Sequence, residues 1–410
     1  MQVLIPHNKL EFNSKNSTVM HIDINSCFAT VEQQYNKKYR NKPLVVAAYL
    51  EDSSVIVAAS IEAKKYGIRT GNRVFEAKRV IPDVIVVKSD MPKYKVVHDK
   101  LQKLLSNYTD RVISQSIDEF VLHFDEHKNS ELISQYTKEI KKRIKTDIGD
   151  YITVSAGIST NRFLAKVASN MQKPDGLTII EKNNFKEQYK KLKLKDLHGI
   201  STSGIRKLNY VGIYDVMSLY NAKYELLNKA FKSKHMAYLW FMRIRGYEVD
   251  DVKHERKIYS QSSVLAKPEY DFDTLYKTTF NLCKRCAYRM RNAGYATKSV
   301  NLELLLEDST KKRVKWKSHK RLNNPTIDTS KLYKELKNML EEYKKTAKIS
   351  KKGRGVRRIA IAFSNLETLD HKQLYIFGNK EEVESLSKVI DEINKKYGKD
   401  IIVNARSLLK

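Results

Sequence analysis

The sequence predicts a multidomain α+β protein built around a ferredoxin-like sheet, on three observations. Residues 19–171 alternate short β-like runs with longer helical stretches, in the order β-α-β-β-α-β of the ferredoxin-like arrangement. At 410 residues the chain exceeds what one hydrophobic core accommodates, so it divides into several units. Its charge is lopsided: 77 Lys and Arg against 47 Asp and Glu leave a net +30. Such an excess repels itself unless a polyanion lies against the surface, which makes nucleic acid the first partner to consider.

The elements follow in order. A strand is expected at 19–23, a helix at 91–108, paired strands at 111–116 and 119–124, a helix at 131–146 and a strand at 153–158. In this order the first strand lies beside the third. Residues 27–88 form an insertion with strands at 44–48 and 55–59, standing beside the sheet as a separate lobe. After Gly176 the texture turns helical. There Leu197-His198-Gly199-Ile200 and Val211-Gly212-Ile213 are spaced like a helix-hairpin-helix, whose glycine turns let backbone N–H groups approach a phosphate. Ser201 stands where a second glycine is expected. Residues 248–257 read as a charged linker, 260–363 resume α/β character, and 380–397 form an amphipathic helix.

Charge concentrates late in the chain. Residues 311–358 hold 18 Lys and Arg against 4 Asp and Glu. Because these interleave with Val314, Trp316, Leu332, Leu336 and Ile359, they belong to folded elements with one positive face. Such a face tracks a phosphate backbone without reading bases. Arg313, Lys315, Lys317, Arg357 and Arg358 are expected to line it.

Other classes recede. No run approaches the roughly 18 apolar residues of a membrane span, and residues 1–18 lack an apolar signal-peptide core, so a cytoplasmic location is expected. Three cysteines cannot form a disulfide framework, and Cys283 with Cys286 reads as helical i, i+3 packing rather than half of a zinc site.

The candidate chemistry lies in three acidic residues. Asp23 ends the first strand, while Asp118 and Glu119 sit between two β-like runs that form a hairpin, so the predicted strand order brings them together at the sheet centre. Three carboxylates there repel one another unless cations neutralise them. Hard divalent ions suit oxygen donors, and a pair of Mg²⁺ ions promotes in-line displacement at phosphorus; Mn²⁺ suits the same oxygens. Read alone, Ser116-Ile117-Asp118-Glu119 also fits an ordinary exposed turn.

The string Asp23-Ile24-Asn25-Ser26-Cys27-Phe28-Ala29-Thr30-Val31-Glu32, with Ser116-Ile117-Asp118-Glu119, Gly157-Ile158-Ser159 and Lys173-Pro174-Asp175-Gly176, resembles the Y-family, or translesion, DNA polymerases. The resemblance implies a right-hand polymerase. Its palm spans 17–26 and 89–180, its fingers 27–88, its helical thumb 181–247, a linker 248–259, its little finger 260–372, and a clamp-binding motif and tail 373–410. It implies Asp23, Asp118 and Glu119 as catalytic carboxylates that hold metal together with the Ile24 carbonyl. Phe28 matches the steric gate that excludes a 2′-hydroxyl, beside Cys27 in the nucleotide pocket, and Lys173 matches a lysine contacting the triphosphate. Ile61-Glu62-Ala63-Lys64 departs from the Tyr-x-x-Arg clamp of the polymerase IV branch. Lys64 is similar instead to the polymerase V branch, and the tail, 380–397 followed by Ile401-Ile402-Val403, resembles that of the polymerase V-like enzymes of Gram-positive bacteria and their mobile elements. Gln373-Leu374-Tyr375-Ile376-Phe377 resembles the peptide that docks on the bacterial sliding clamp, with Gln373, Leu374 and Phe377 as contacts. Primer-template DNA, dNTP and SOS accessory subunits complete the implied partners, in the bacterial cytoplasm with the nucleoid. Two rival functions fit parts of the pattern: a nucleotidyl cyclase, which needs no concentrated basic face, and a non-catalytic DNA-binding protein.

Overall fold

The first apolar run forms β1 (Val19–Ile24), buried along its whole length, in a computed structural model that describes residues 10–252, 255–350, 353–369, 380–398 and 401–402. After α1 (Cys27–Tyr35) come β2 (Leu44–Ala47), β3 (Ile56–Ala59), α2 (Ile61–Lys65), α3 (Val74–Val80) and β4 (Ile85–Lys88). Next are α4 (Met91–Leu105), β5 (Arg111–Ser114), β6 (Glu119–His123), α5 (Ser130–Arg143), β7 (Val154–Ser159), α6 (Arg162–Met171) and β8 (Leu177–Ile180). Five short helices follow: α7 (Phe185–Lys190), α8 (Thr202–Tyr210), α9 (Val216–Asn221), α10 (Tyr224–Phe231) and α11 (Lys234–Arg243). The chain continues through β9 (Ile258–Glu269), α12 (Phe272–Asn292), β10 (Tyr295–Glu307), β11 (Arg313–Thr326), α13 (Thr329–Ser350), β12 (Gly355–Thr368) and α14 (Lys380–Tyr397). It forms two compact units, Met1–Val252 and Lys253–Lys410.

In the first unit the main sheet runs β5-β6-β1-β7-β8, with β1 antiparallel to both β6 and β7. The expected adjacency of the first strand to its hairpin partner therefore holds. Strand β8, parallel to β7, replaces the helical texture expected directly after Gly176. Four residues are too few for periodicity to separate a strand from the start of a buried helix.

Alternation along β1 divides its side chains between two faces. Met20, Ile22 and Ile24 join Phe120, Leu122 and the α4–α5 residues Tyr94, Leu101, Ile133 and Ile140 in one core. Val19 packs with Val121 and Ala165 on the opposite face, where α6 lies across the sheet. Gly157 permits that crossing, because a Cβ there would meet the Ala165 carbonyl oxygen at 2.1 Å. His21 and Asp23 share the α6 face with Val19.

The insertion folds as β3-β2-β4 around Val45, Ile56, Ala63 and Val74. The five short helices enclose Leu208, Leu227, Trp240 and Phe241. Gly199 and Gly212 take φ values of +90° and +82°, so both glycines of the hairpin sit in left-handed turns. Ser201 instead has φ −81°, and its hydroxyl accepts from Gly204 N at 3.3 Å as the N-cap of α8. Helix initiation, rather than a glycine turn, accounts for the serine.

The second unit is an antiparallel sheet β11-β10-β12-β9 with α12 and α13 on one face. Leu302, Leu304, Ile359 and Ile361 point into the core formed with Leu336, Cys283 and Cys286. Both cysteines are free and buried, the packing role their spacing suggested. Helix α14 is tied to α12 by Arg291, whose Nε and Nη2 donate to Asp391 at 2.7 and 3.0 Å. Gln373, Leu374 and Phe377 lie outside the described residues. Among the described residues no helix is long and apolar enough to cross a membrane.

Candidate active site and nucleic-acid face

Asp23 stands directly opposite Glu119 in the β1–β6 register, so the two share a face at the sheet centre. Asp118 precedes Glu119 at the hairpin turn, and its carbonyl accepts from Ile24 N at 3.0 Å. The turn after β1 is fixed by Asn25, which is buried. Its side chain donates to Thr153 Oγ1 at 3.1 Å and accepts from Ser155 Oγ at 2.9 Å. Ser26 then adopts φ 51° at the N-cap of α1, turning the helix away from the strand end.

Each carboxylate is already engaged. Lys173 Nζ bonds Asp23, Lys166 Nζ lies 2.5 Å from Glu119 Oε2, and Ser116 Oγ donates to Asp118 Oδ1 at 2.5 Å. Among the described residues no three Asp, Glu, His or Cys side chains converge closely enough to hold an ion on their own. The lysine ammonium groups stand where neutralising positive charge is needed. Burial pushes the Asp23 carboxyl up against the opposing pull of Lys173, and neighbouring Glu119 and Asp118 push it the same way. His21 and Lys166 hold Glu119 down at about 2 in spite of its own burial. The His21 contact is electrostatic, since Nε2 is 3.7 Å from Glu119 Oε2, beyond hydrogen-bond reach. His21 Nδ1 is 3.0 Å from Ser169 Oγ, which donates to the Lys166 carbonyl at 2.9 Å, and this contact sets the ring so that Nε2 is turned toward the carboxylate.

A cavity of about 440 Å³ opens over this edge. Asp23, Ile24 and Asp118 line one side; Cys27, Phe28, Ile61, Lys64 and Lys173 line the rest, so every residue expected to meet a nucleotide borders one space. Lys64 Nζ donates to Ser26 Oγ at 2.7 Å; burial pulls its ammonium below the usual lysine range, helped by Lys173. Phe28 stacks on Tyr94 with ring centroids 4.3 Å apart and planes 12° from parallel. The Tyr94 hydroxyl donates to Glu32 Oε1 at 2.8 Å, and Lys93 Nζ donates to Glu32 Oε2 at 2.8 Å. Sequence reasoning missed Tyr94, Lys166 and His21. A signal for Lys166 existed: it is a lone charge among Phe163, Leu164, Ala165, Val167 and Ala168 on α6.

The expected basic residues gather on the second unit's open sheet face. Arg313, Lys315 and Lys317 on β11 lie opposite Glu307, Leu305 and Glu303 on β10, and Arg358 on β12 lies opposite Leu305. Arg357 sits at a register shift in β12 and donates to the Leu265 carbonyl. The rows toward β9 are small, with Ala360 and Ala362 opposite Ser262 and Ser260. The cations thus lie toward the β11 side of this face.

Carboxylates at adjacent strand ends, faced across a nucleotide-sized cavity by lysines, are the parts of an enzyme that transfers phosphoryl or nucleotidyl groups. The comparisons narrow that class. Residues 22–170 match the impB/mucB/samB family, and residues 256–376 match the impB/mucB/samB family C-terminal domain. A DNA polymerase IV of Clostridium acetobutylicum is 27% identical over 403 residues, covering 96% of this chain and 98% of that protein. A DNA polymerase IV of Acetivibrio thermocellus is 36% identical over 213 residues, 51% of this chain and 52% of that one. Among solved structures, a Y-family DNA polymerase chimera aligns with a TM-score of 0.70 at 24% identity, covering 85% of this chain and 99% of that one. The crystal structure of DinB from Sulfolobus solfataricus aligns with a TM-score of 0.53 at 24% identity, over 84% and 98% of the two chains. The chain belongs to the impB/mucB/samB family, the Y-family DNA polymerases.

Proposed function

We propose that the chain is a template-directed DNA polymerase that performs error-tolerant translesion synthesis, joining dNTPs to a primer 3′-hydroxyl with release of pyrophosphate. Family membership supports this reading. The observation that carries it is the placement of Asp23 opposite Glu119, with Asp118 beside them on the cavity wall.

In this reading Asp23, Asp118, Glu119 and the Ile24 carbonyl hold two Mg²⁺ ions, or Mn²⁺. The donor set fits, being all oxygen and mostly anionic. Ions held there would supply positive charge to the attacking 3′-hydroxyl and the departing pyrophosphate. The protein's own groups do the rest. Lys173 and Lys64 pass from Asp23 and Ser26 to the triphosphate, each as a compact point charge. Phe28, backed by Tyr94, fills the space a 2′-hydroxyl needs, and Cys27 and Ile61 complete the wall. The family's division applies as palm (17–26 and 89–180), fingers (27–88), thumb (181–247), linker (248–259) and little finger (260–372), with the open face of the last tracking duplex DNA. Gln373, Leu374 and Phe377 dock the bacterial sliding clamp, SOS accessory subunits are further partners, and the protein works in the cytoplasm with the nucleoid.

The test is primer extension on a primed template with four deoxynucleotides and Mg²⁺. Asp118→Ala and Glu119→Ala should abolish extension and leave DNA affinity largely intact. Equal collapse of DNA binding would mean that the carboxylates serve folding, and cyclic product from a nucleotide alone would identify a cyclase.

A further inference from the structure

The open face of the second unit contains two acidic residues where a surface meeting phosphates is expected to hold none. Glu303 and Glu307 both lie on β10, the strand between β11 and β12. Four residues apart on a strand, they point to the same side, away from the core-facing Leu302, Leu304 and Leu306. Each is clasped from both neighbouring strands. Glu303 lies 3.2 Å from Lys317 Nζ on β11 and bonds the Arg358 guanidinium on β12. Glu307 lies 2.7 Å from Arg313 Nε on β11 and 4.0 Å from Arg357 Nε on β12. Four of the five cations expected to meet DNA are thus already paired, with only Lys315, opposite Leu305, lacking such a partner in the register.

The β11 cations of these pairs stand half or more in water, where an ion pair adds little to stability, so structural need alone gives weak reason to place carboxylates here. Their spacing has a second meaning. A carboxylate offers two anionic oxygens to a guanidinium or ammonium as a phosphate does, and the same nitrogens cannot serve both at full strength.

We infer that Glu303 and Glu307 are internal phosphate substitutes that hold the DNA-facing cations of β11 and β12 in place and compete with the DNA backbone for them. The inference rests on the reading of this face as the duplex-binding surface. Its functional sense is release: a polymerase whose grip is partly self-occupied leaves DNA after short synthesis. The two carboxylates thereby set how long the enzyme stays on its template.

The experiment uses the full chain and a duplex oligonucleotide, with affinity measured between 50 and 200 mM salt for Glu303→Gln, Glu307→Gln, the double variant and Arg358→Ala. Glutamine keeps the shape and removes the charge. Two cations freed for phosphate should steepen log K against log salt by roughly 1.8, from about 0.9 per contact, so the gain over the parent grows about tenfold from the high to the low salt. Each single variant should show about half that change in slope, which keeps the test decisive if the double variant folds poorly. Unchanged affinity and slope in the glutamine variants, with Arg358→Ala still weakening binding, overturns the inference but leaves the DNA face standing. Weaker binding by the glutamine variants also overturns it, because the carboxylates would then serve only to position the cations. If Arg358→Ala has no effect either, the reading of the face itself fails.

Discussion

Two places in this chain set carboxylates against cations on a β-sheet, and they differ in how far the cations are exposed. At the β1–β6 edge, Lys173 bonds Asp23 and Lys166 bonds Glu119, and these lysine side chains are 35% and 21% exposed. On the open face of β10, Glu303 and Glu307 meet Lys317 and Arg313, whose side chains are 66% and 51% exposed. In both places the chain supplies its own counter-charge for a partner it has yet to bind. At the first edge lysines stand in for cations; on the second face carboxylates stand in for phosphate. The carboxylates are buried alike, with Asp23 and Glu307 both 9% exposed, so each needs a counter-charge; the difference lies in the cations, which on the second face reach further into water and exchange partners more readily.

That contrast can be broken or sharpened by substitution, and the largest effects belong at the buried edge. Asp118→Ala or Glu119→Ala should lower the rate of primer extension by more than about 10³-fold, equivalent to ~4 kcal/mol of lost barrier reduction, while DNA affinity stays near the parent's. Phe28→Ala should erode the preference for deoxynucleotides by about 100-fold, roughly 3 kcal/mol, measured as the ratio of kcat/KM for dNTP and rNTP. Unchanged discrimination would remove Phe28 from the sugar pocket. Lys166→Gln should free Glu119 from its ammonium partner, so that the Mg²⁺ concentration giving half-maximal thermal stabilisation falls several-fold. A rise instead would show that the lysine organises the site rather than occupying it.

The smallest effect is a pH dependence at the same edge. Glu119 lies depressed to about 2 in the folded chain from an ordinary 4.5, so its contribution to stability is complete above 4.5 and is lost as pH falls toward 2. Acid unfolding of the metal-free chain should therefore show a shallower loss in that window when Glu119 is replaced by Gln. An identical profile would mean that His21 and Lys166 do not couple to it.

The sequence made the scaffold legible where periodicity ran long enough. The ferredoxin-like order was readable because its strands and helices alternate in runs long enough to show a period, whereas β8 was hidden in four residues. The carboxylates stood out because Asp23 closes an apolar strand and Asp118-Glu119 interrupt a hairpin of apolar runs. Their partners did not stand out. Lys166 reaches Glu119 only because α6 crosses the sheet over Gly157, a tertiary fact that no spacing along the chain records. The basic face was likewise visible as composition, but composition sums charges and is blind to register. Only strand pairing reveals that Glu303 and Glu307 sit between the cations of two neighbouring strands.

The stack of Phe28 on Tyr94 closes a circuit, since the Tyr94 hydroxyl returns through Glu32 to α1, one turn beyond Phe28 itself. The ring is thereby backed by α4 as well as by its own helix. A molecule pressing on Phe28 pushes on Tyr94 and, through its hydroxyl and Glu32, on the contact between α1 and α4. Firmness at that spot thus comes from the scaffold rather than from one bulky residue, and loosening Lys93 or Glu32, out of reach of a nucleotide's sugar, should be felt there.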